Sequence, residues 1–172
     1  MKKPLRMVAA GLLFYLLVFR PAGADTMTPT ATQVWNAPTA DDCVKINRLL
    51  VNYTSSVSAG DRALFESQLL DVHIPFAGIA AKASGSNIAD LKSIQDYQGF
   101  RRAIFDSGEK FRQRFSNVKI EQVGNLAQVS LDYETTLQGT EYAGKGWKVI
   151  LLIKVNDEWK IASEFFTAYP KV

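Results

Sequence analysis

The last third of the chain carries the pattern that most restricts the fold. Four runs rich in β-branched and aromatic residues follow one another here, separated by short turn-forming segments: 118–123, 126–137, 147–155 and 159–169. Runs of this length and composition are typical of strands, and short connections pair successive strands antiparallel. Asn156-Asp157, between the last two runs, is typical of a tight hairpin turn. The sequence therefore predicts an antiparallel sheet of four long strands.

The first part of the domain shows helical spacing instead. In residues 41–59 the apolar side chains recur three and four positions apart, which predicts a helix with one buried stripe. Asp41 and Asp42 are well placed to cap the start of this helix, and Gly60 is typical of a helix end. Asp61 is in turn placed to cap a second, shorter helix.

The middle of the chain supplies the remaining elements. Residues 72–76 predict a short extended piece, in which Pro75 indicates a strand edge or end. Residues 78–86 predict a loop and 88–94 a helical turn. Residues 100–115 place aromatic side chains on one side and arginines on the other, which predicts a third amphipathic helix. The expected fold is α+β, with three helices packed on one face of a curved, mostly antiparallel sheet.

The N-terminus has the three-part build of a secretory signal peptide, residues 1–24. Lys2, Lys3 and Arg6 precede an apolar run of about 13 residues, and a stretch of small residues ends at Ala24. A membrane-spanning helix needs roughly 20 apolar residues, so this run is too short for a permanent anchor. We expect cleavage after Ala24, a periplasmic or secreted product, and no membrane attachment of that product.

Cleavage changes the charge of the protein. The precursor has 20 basic and 17 acidic residues, and the signal peptide takes away four basic residues and no acidic one, so the formal charge falls from +3 to −1. The net positive charge therefore belongs to the signal peptide, and no nucleic-acid partner is expected. Residues 25–40, rich in Thr, Ala and Pro, predict a flexible arm before a folded domain over residues 41–172. The single cysteine, Cys43, cannot close an intramolecular disulfide and is expected to be a small buried residue.

The predicted sheet is apolar on both faces. Val149, Leu151 and Ile153 alternate with Ile150 and Leu152, and the last strand behaves in the same way. A half-exposed antiparallel strand has one polar face, so the second apolar face needs a cover. A homodimer packed sheet to sheet is the favoured cover, and loops of the same chain are the alternative.

Three short motifs on this layout resemble a known family. They are Ser58-Ala59-Gly60-Asp61 between the first two helices, Gly146-Trp147-Lys148-Val149, and Asp157-Glu158-Trp159-Lys160-Ile161. Together with the element order, over residues 41–169, they resemble the nuclear-transport-factor-2-like (NTF2-like) superfamily, which includes SnoaL-like polyketide cyclases and ketosteroid isomerases. The resemblance implies a cone-shaped α+β domain with a pocket between helices and concave sheet, often dimeric through the convex face. Many relatives have a histidine-rich end to the final strand, whereas residues 162–167 contain no histidine, so no catalytic set is carried over.

The candidate site residues are polar or aromatic side chains that a cone pocket would collect. The predicted ligand-binding set is His73, Tyr97, Tyr133, Trp147 and Phe165. His73, the only histidine, is the candidate general base, although a histidine without a recognisable carboxylate partner is more often structural. Tyr133 shares its strand face with apolar residues, which suits a pocket or a core tyrosine. The sequence shows no metal-ligand spacing and no cofactor motif.

Other polar groups on the strands are expected to be ordinary surface residues. Asp132 and Glu134 share a face that looks solvated. Glu164 interrupts the apolar last strand, and a salt bridge at the rim is favoured for it. The alternative is a carboxylate buried at an interface and paired with Lys148 or Lys160.

Three functions fit these observations. The first is an exported domain that binds a small apolar or aromatic molecule in its cone pocket, without catalysis. The second is a SnoaL-like isomerase, dehydratase or hydrolase that uses His73 and a pocket tyrosine, and it requires that His73 face the cavity within hydrogen-bond reach of Tyr97, Tyr133 or an acid. The third is a dimeric protein-interaction module whose cone is filled.

Overall fold

The computed structural model describes residues 37–80, 96–140 and 143–168 and confirms the α+β architecture. The helices are α1 (Ala40–Ala59), α2 (Arg62–Ser67) and α3 (Tyr97–Ile104), and the strands are β1 (Phe76–Ala80), β2 (Phe111–Val123), β3 (Leu126–Leu137), β4 (Ala143–Val155) and β5 (Glu158–Ala168). The strand order is β1-β5-β4-β3-β2, with only β1 and β5 parallel. The predicted signal peptide, most of the predicted arm and the predicted turn at 88–94 lie outside the described residues. No helix within the described ranges is long and apolar enough to cross a membrane.

The helix boundaries follow from short polar caps. Thr39, in extended conformation, accepts a hydrogen bond from the Asp42 backbone N–H at 3.1 Å and begins α1. Gly60 ends it with a left-handed φ of 71°. Asp61 accepts from the backbone N–H of Leu64 at 2.9 Å and begins α2, as predicted. The expected capping role of Asp41 and Asp42 is wrong, because the N-cap is Thr39, two residues before Asp41, and the Asp42 side chain is buried.

Asp42 anchors the start of α1 to the sheet. It is 3% exposed and accepts hydrogen bonds from Gln122 Nε2 of β2 at 2.8 Å and from Trp159 Nε1 of β5 at 3.0 Å. Lys154 of β4 forms an ion pair with the same carboxylate. The hydrogen bonds from Lys154, then Gln122 and Trp159, hold the pKa of Asp42 well below its ordinary value, although burial acts in the opposite direction. One carboxylate therefore ties α1 to three strands.

The predicted helix over residues 100–115 is wrong in its second half. Helix α3 ends at Ile104, the chain turns through Gly108 at a φ of 76°, and β2 begins at Phe111. The apolar residues at 100, 104, 111 and 115 satisfy a helical spacing, yet within β2 Phe111 and Phe115 also obey the alternation of a strand. The predicted loop over residues 78–86 is likewise corrected at its start, since β1 (Phe76–Ala80) pairs in parallel with β5.

A β-bulge decides which side chains of β5 point to the helices. Ile161 pairs with Leu152 and Ser163 with Leu151, which leaves Ala162 as the extra residue. Beyond the bulge Glu164 pairs with Ile150, which is fully buried, so Glu164 lies on the inner face, toward the helices. Simple alternation along β5 would place Glu164 on the face opposite Trp159 and Ile161, and the bulge reverses this direction.

The outer face of the sheet carries the second apolar surface that the sequence predicts. Trp147 and Phe165 are 48% and 47% exposed there, and Val149 and Leu151 lie half-buried beside them. Val149 pairs with Phe165 across β4 and β5. At one edge of the sheet, the pairing of β2 with β3 shifts between Ser116 and Lys119 at a second irregularity.

Candidate functional site

An ion pair is buried on the inner face of the sheet. Lys148 of β4 and Glu164 of β5 have side chains that are 2% and 0% exposed, and Lys148 Nζ lies 2.7 Å from Glu164 Oε1. The two strands place them diagonally, since Lys148 pairs with Phe166 and Glu164 with Ile150. Removing two charges from water costs several kcal/mol per ion unless they are paired and hydrogen-bonded. Burial of this pair therefore requires further hydrogen-bond partners in the core.

Tyr53 of α1 completes the polar cluster from the helix side. Lys148 Nζ donates to the Tyr53 hydroxyl at 2.8 Å, and that hydroxyl donates to Glu164 Oε1 at 3.1 Å. The ammonium group and the hydroxyl thus converge on one carboxylate oxygen, Glu164 Oε1. The other oxygen, Glu164 Oε2, is buried and has no hydrogen-bond partner among the described residues. A buried carboxylate oxygen without a donor is costly, and such groups call for a specific explanation.

Four aromatic rings surround the ammonium group, and we call them the aromatic cage. The distances from Lys148 Nζ to the ring centroids are 4.7 Å for Tyr53, 5.5 Å for Phe115, 4.9 Å for Tyr133 and 5.4 Å for Phe166. Each distance lies within the range of a cation–π interaction. Phe115 and Phe166 are only half-buried, whereas Tyr53 is fully buried. The ammonium group is therefore enclosed, and Phe115 and Phe166 are the cage rings that are partly exposed to solvent.

Two glycines allow the cage to close. A Cβ at Gly78 would lie 2.5 Å from the Phe166 ring, so the ring packs directly on the β1 backbone. A Cβ at Gly146 would lie 1.6 Å from the Thr167 carbonyl oxygen and 2.8 Å from the Tyr133 ring. Tyr133 then donates its hydroxyl to the same Thr167 carbonyl at 3.1 Å. Larger residues at these positions would push the rings and strands apart.

Burial dominates the electrostatics of the cluster. It lowers the pKa of Lys148, and the charge and hydrogen bond of Glu164 oppose that shift. Burial also raises the pKa of Tyr53 well above its ordinary value, and the nearby Glu164 charge raises it further. Tyr53 is thus a neutral hydroxyl between two charges. The cluster is thus an ion pair held in one orientation and enclosed by aromatic rings.

The structure separates the five predicted site residues. Tyr133 lies on the inner face in the cage, as its strand face predicted. Trp147 and Phe165 lie on the outer face. Tyr97 is buried on α3 and donates its hydroxyl to Glu66 Oε1 at 2.9 Å. His73 has a side chain that is 82% exposed.

The exposed position of His73 does not match the enzyme hypothesis, which requires this side chain to face the cavity. Its Nδ1 lies 2.7 Å from Asp71 Oδ1, a carboxylate two residues earlier that the sequence analysis did not recognise as its partner. Tyr97 donates its hydroxyl to Glu66 and Tyr133 donates to the Thr167 carbonyl. The carboxylate beside His73 is itself exposed, so this pair lies at the surface.

The predicted rim position of Glu164 is wrong, and the alternative partner Lys148 is the one found. The sequence contained the pattern that identifies them, because Lys148 and Glu164 are the charged residues that interrupt two otherwise apolar strand segments. What it lacked was the bulge at Ala162, which turns Glu164 inward. Tyr53 was missed because it reads as one more apolar position of α1.

Two surface cavities are formed by the described residues, and the second shares Tyr133 with the cage. One, of about 520 Å³, lies between α1 and the β4–β5 hairpin. The other, of about 410 Å³, is formed by β2, β3 and β4, and both Tyr133 and Trp147 belong to its lining. Within the described ranges no group of three or more His, Cys, Asp or Glu residues is arranged to hold a metal ion.

No protein-family model and no curated protein matches the sequence. Solved structures do match. An NTF2-like protein of unknown function from Shewanella baltica OS155 has a TM-score of 0.56 and 17% identity, covering 79% of this chain and 100% of that chain. An NTF2-like superfamily protein from Salmonella enterica Typhimurium LT2 has a TM-score of 0.55 and 18% identity, covering 77% of this chain and 96% of that chain.

A third structure agrees with these two. A protein of unknown function with a cystatin-like fold from Nostoc punctiforme PCC 73102 has a TM-score of 0.60 and 14% identity, covering 80% of this chain and 98% of that chain. Sequence identities this low establish only the shared architecture. The chemistry of a site in this chain must be argued from the residues of this chain. The chain has three helices on a five-stranded, mostly antiparallel sheet, and the similar solved structures are NTF2-like proteins. It therefore has the NTF2-like fold that its motifs predicted.

Proposed function

We propose that the domain binds a small apolar or aromatic molecule at the open end of its cone, against the aromatic cage. The observation that carries this proposal is Glu164 Oε2, a buried carboxylate oxygen without a donor, beside half-buried aromatic rings. A ligand with an apolar body and one hydroxyl or N–H group satisfies both features. Its body packs on Phe115 and Phe166, and its donor reaches Glu164.

The energetics favour such a ligand. A hydrogen bond to a charged group contributes about 1.5–3 kcal/mol when it removes an unsatisfied buried partner. Aromatic contact at Phe115 and Phe166 adds the burial of apolar surface, about 25 cal/mol per Å². Because Lys148 already neutralises Glu164, the site favours a neutral donor over a cation. The cage is closed in the structure, so binding requires the Phe166 ring to rotate away from Gly78.

The test compares two probes with the same body, 2-naphthol and 2-methoxynaphthalene, by titration calorimetry on the mature protein. We expect 2-naphthol to bind about tenfold more tightly, since only it donates a hydrogen bond. The double variant Lys148→Met/Glu164→Gln, which removes both buried charges, should abolish this preference.

Neighbouring phenylalanines on opposite faces locate the site. Phe166→Ala should weaken 2-naphthol binding, whereas Phe165→Ala, on the outer face, should leave it unchanged. Equal affinity of the wild-type protein for both probes, or an equal effect of both alanine variants, refutes binding at the cage.

We also propose that the domain is exported and forms a homodimer. The three-part N-terminal pattern supports export to the periplasm or medium, and N-terminal sequencing of the secreted protein should begin at Asp25. The half-exposed apolar outer face around Trp147 and Phe165 supports a second copy as its cover. Such a face-to-face pair leaves the open end of each cone free for ligand.

A further inference from the structure

We propose that the groove between α1 and the β4–β5 hairpin is a second binding site, for a small carboxylate that also carries an amide. N-acylated amino acids and the carboxyl end of a short peptide share this chemistry. The groove has a volume of about 520 Å³, within the range of roughly 300–1,000 Å³ that small-molecule sites occupy. None of its lining residues belongs to the aromatic cage, so this site is independent of the proposed cone ligand.

The charges of the groove leave one cation without a partner. Lys45 Nζ lies 2.6 Å from Asp157 Oδ2 and 2.9 Å from Asp41 Oδ2, and Lys160 Nζ lies 2.9 Å from Glu158 Oε2, so both lysines already have carboxylate partners. Arg48 is exposed and lies on the side of α1 that lines the groove. It has no ion pair in the part of the chain that the structure describes. A planar guanidinium binds a carboxylate through two parallel hydrogen bonds. The groove is therefore suited to one negative charge.

A buried side-chain amide in the lining of the groove supplies a hydrogen-bond acceptor. Gln68, at the end of α2, is 6% exposed, and its Oε1 has no hydrogen-bond partner among the described residues. Its amide orientation is fixed, because Nε2 donates to the Leu64 carbonyl at 3.1 Å and an exchanged oxygen would face that carbonyl. A buried amide oxygen of this kind accepts an N–H group from a ligand at no cost in lost protein contacts.

The floor of the groove is apolar. Leu49 and Trp159 are 6% and 5% exposed and line the groove between its charged edges. Asn52, one turn after Arg48 on the same stripe, offers both a donor and an acceptor for an amide. A carboxylate at Arg48, an amide between Asn52 and Gln68, and an apolar side chain on Leu49 and Trp159 together describe an acylated amino acid or peptide end.

The experiment titrates the mature protein with N-acetylglycine, N-acetylleucine, N-acetylphenylalanine, the peptide acetyl-Gly-Leu, and the methyl ester of each. Two-dimensional NMR of the tryptophan indole N–H groups reports both affinity and place, since Trp159 lies in the groove and Trp147 on the outer face. We expect the free acids to shift the Trp159 signal with saturation, and the methyl esters to bind at least about tenfold more weakly. Tighter binding of the peptide than of N-acetylleucine would identify a peptide end as the ligand.

A matched pair of arginine variants tests the role assigned to Arg48. Arg48→Gln should weaken binding of the free acids by about tenfold or more, while Arg112→Gln, an exposed arginine of β2, should leave it unchanged. The proposal is overturned if no free acid saturates below about 10 mM, if Arg48→Gln binds like the wild type, or if the Trp147 signal shifts in place of the Trp159 signal.

Discussion

Lys148 occupies a strand position that an aliphatic side chain normally fills. Its neighbours on the inner face, Leu131 and Ile150, are buried and apolar, yet the ammonium group is accommodated by one carboxylate, one hydroxyl and four rings. Each polar partner comes from a different element, β5 for Glu164 and α1 for Tyr53. The cluster therefore depends on the register of the whole cone, and single changes in it should be severe.

Breaking the buried pair should cost more than removing it. Lys148→Met or Glu164→Gln alone leaves one uncompensated charge in the core, so we expect a loss of about 3–5 kcal/mol in the free energy of unfolding. The double variant leaves no buried charge and should lie within about 1 kcal/mol of the wild type. Urea denaturation monitored by circular dichroism measures all three proteins. If the single and double variants lose the same amount, the pair is not coupled as described.

Asp42 should make stability depend on acid pH. Its pKa is lowered in the folded protein, so its contribution to stability is present above the unfolded-state pKa of about 3.9 and is lost as the pH falls toward the folded-state value. Asp42→Asn should therefore be less stable than the wild type near neutral pH, and the difference should shrink below about pH 4. Urea midpoints measured across this range test the effect. A difference that stays constant with pH would mean that the lost contacts, and not the charge, matter.

At the scale of elements, regular segments were predictable and local irregularities were not. The bounds of β3 and the turn at Asn156 and Asp157, both at positive φ, follow from composition and turn chemistry. The helix expected over residues 100–115 failed because its aromatic spacing suits both a helix and a strand. The bulge at Ala162 leaves no mark in the residue pattern, so the inward direction of Glu164, and with it the cage, could not be derived from the sequence.

Two glycines should respond differently to alanine. At Gly60 the only penalty is the left-handed φ of 71°, with nothing within 4 Å of the added Cβ, so Gly60→Ala should cost about 1 kcal/mol. At Gly146 the Cβ meets the Thr167 backbone, so strands β4 and β5 must separate and the loss should reach about 3 kcal/mol. Thermal unfolding of both variants gives the comparison. Equal losses would show that the close approach at Gly146 relaxes freely.

At the scale of the whole molecule, one face of the sheet is covered by the helices and the other face exposes apolar side chains. The inner face is occupied by α1, the cage and the aromatic cluster around Phe65, in which Phe76, Tyr97 and Phe100 have ring centroids 5.4–6.3 Å from Phe65. The outer face presents apolar side chains to solvent. A single cone therefore leaves unburied the surface that a second copy would cover.

The proposed dimer should be broken by charge on this face. Phe165→Asp, alone or with Leu151→Asp, places carboxylates where apolar side chains would meet, so we expect the protein to sediment as a monomer. Val44→Asp, on the exposed side of α1, should leave the dimer intact. A monomeric wild-type protein in the same sedimentation experiment would contradict the proposed pairing.

The shifted pairing of β2 affects whether copies of this chain can add to one another through the edge of the sheet. β2 is the last of the strands in the order, and an edge strand of thirteen residues can act as a template for uncontrolled strand addition. Part of this edge is already occupied, since the Gln113 backbone N–H donates to Ser58 Oγ of α1 at 3.1 Å. Its irregularity near Asn117, at a φ of 52°, and the outward charges of Arg112, Arg114 and Lys119 make that edge a poor template. Fibre-like growth by strand addition at this edge is therefore disfavoured.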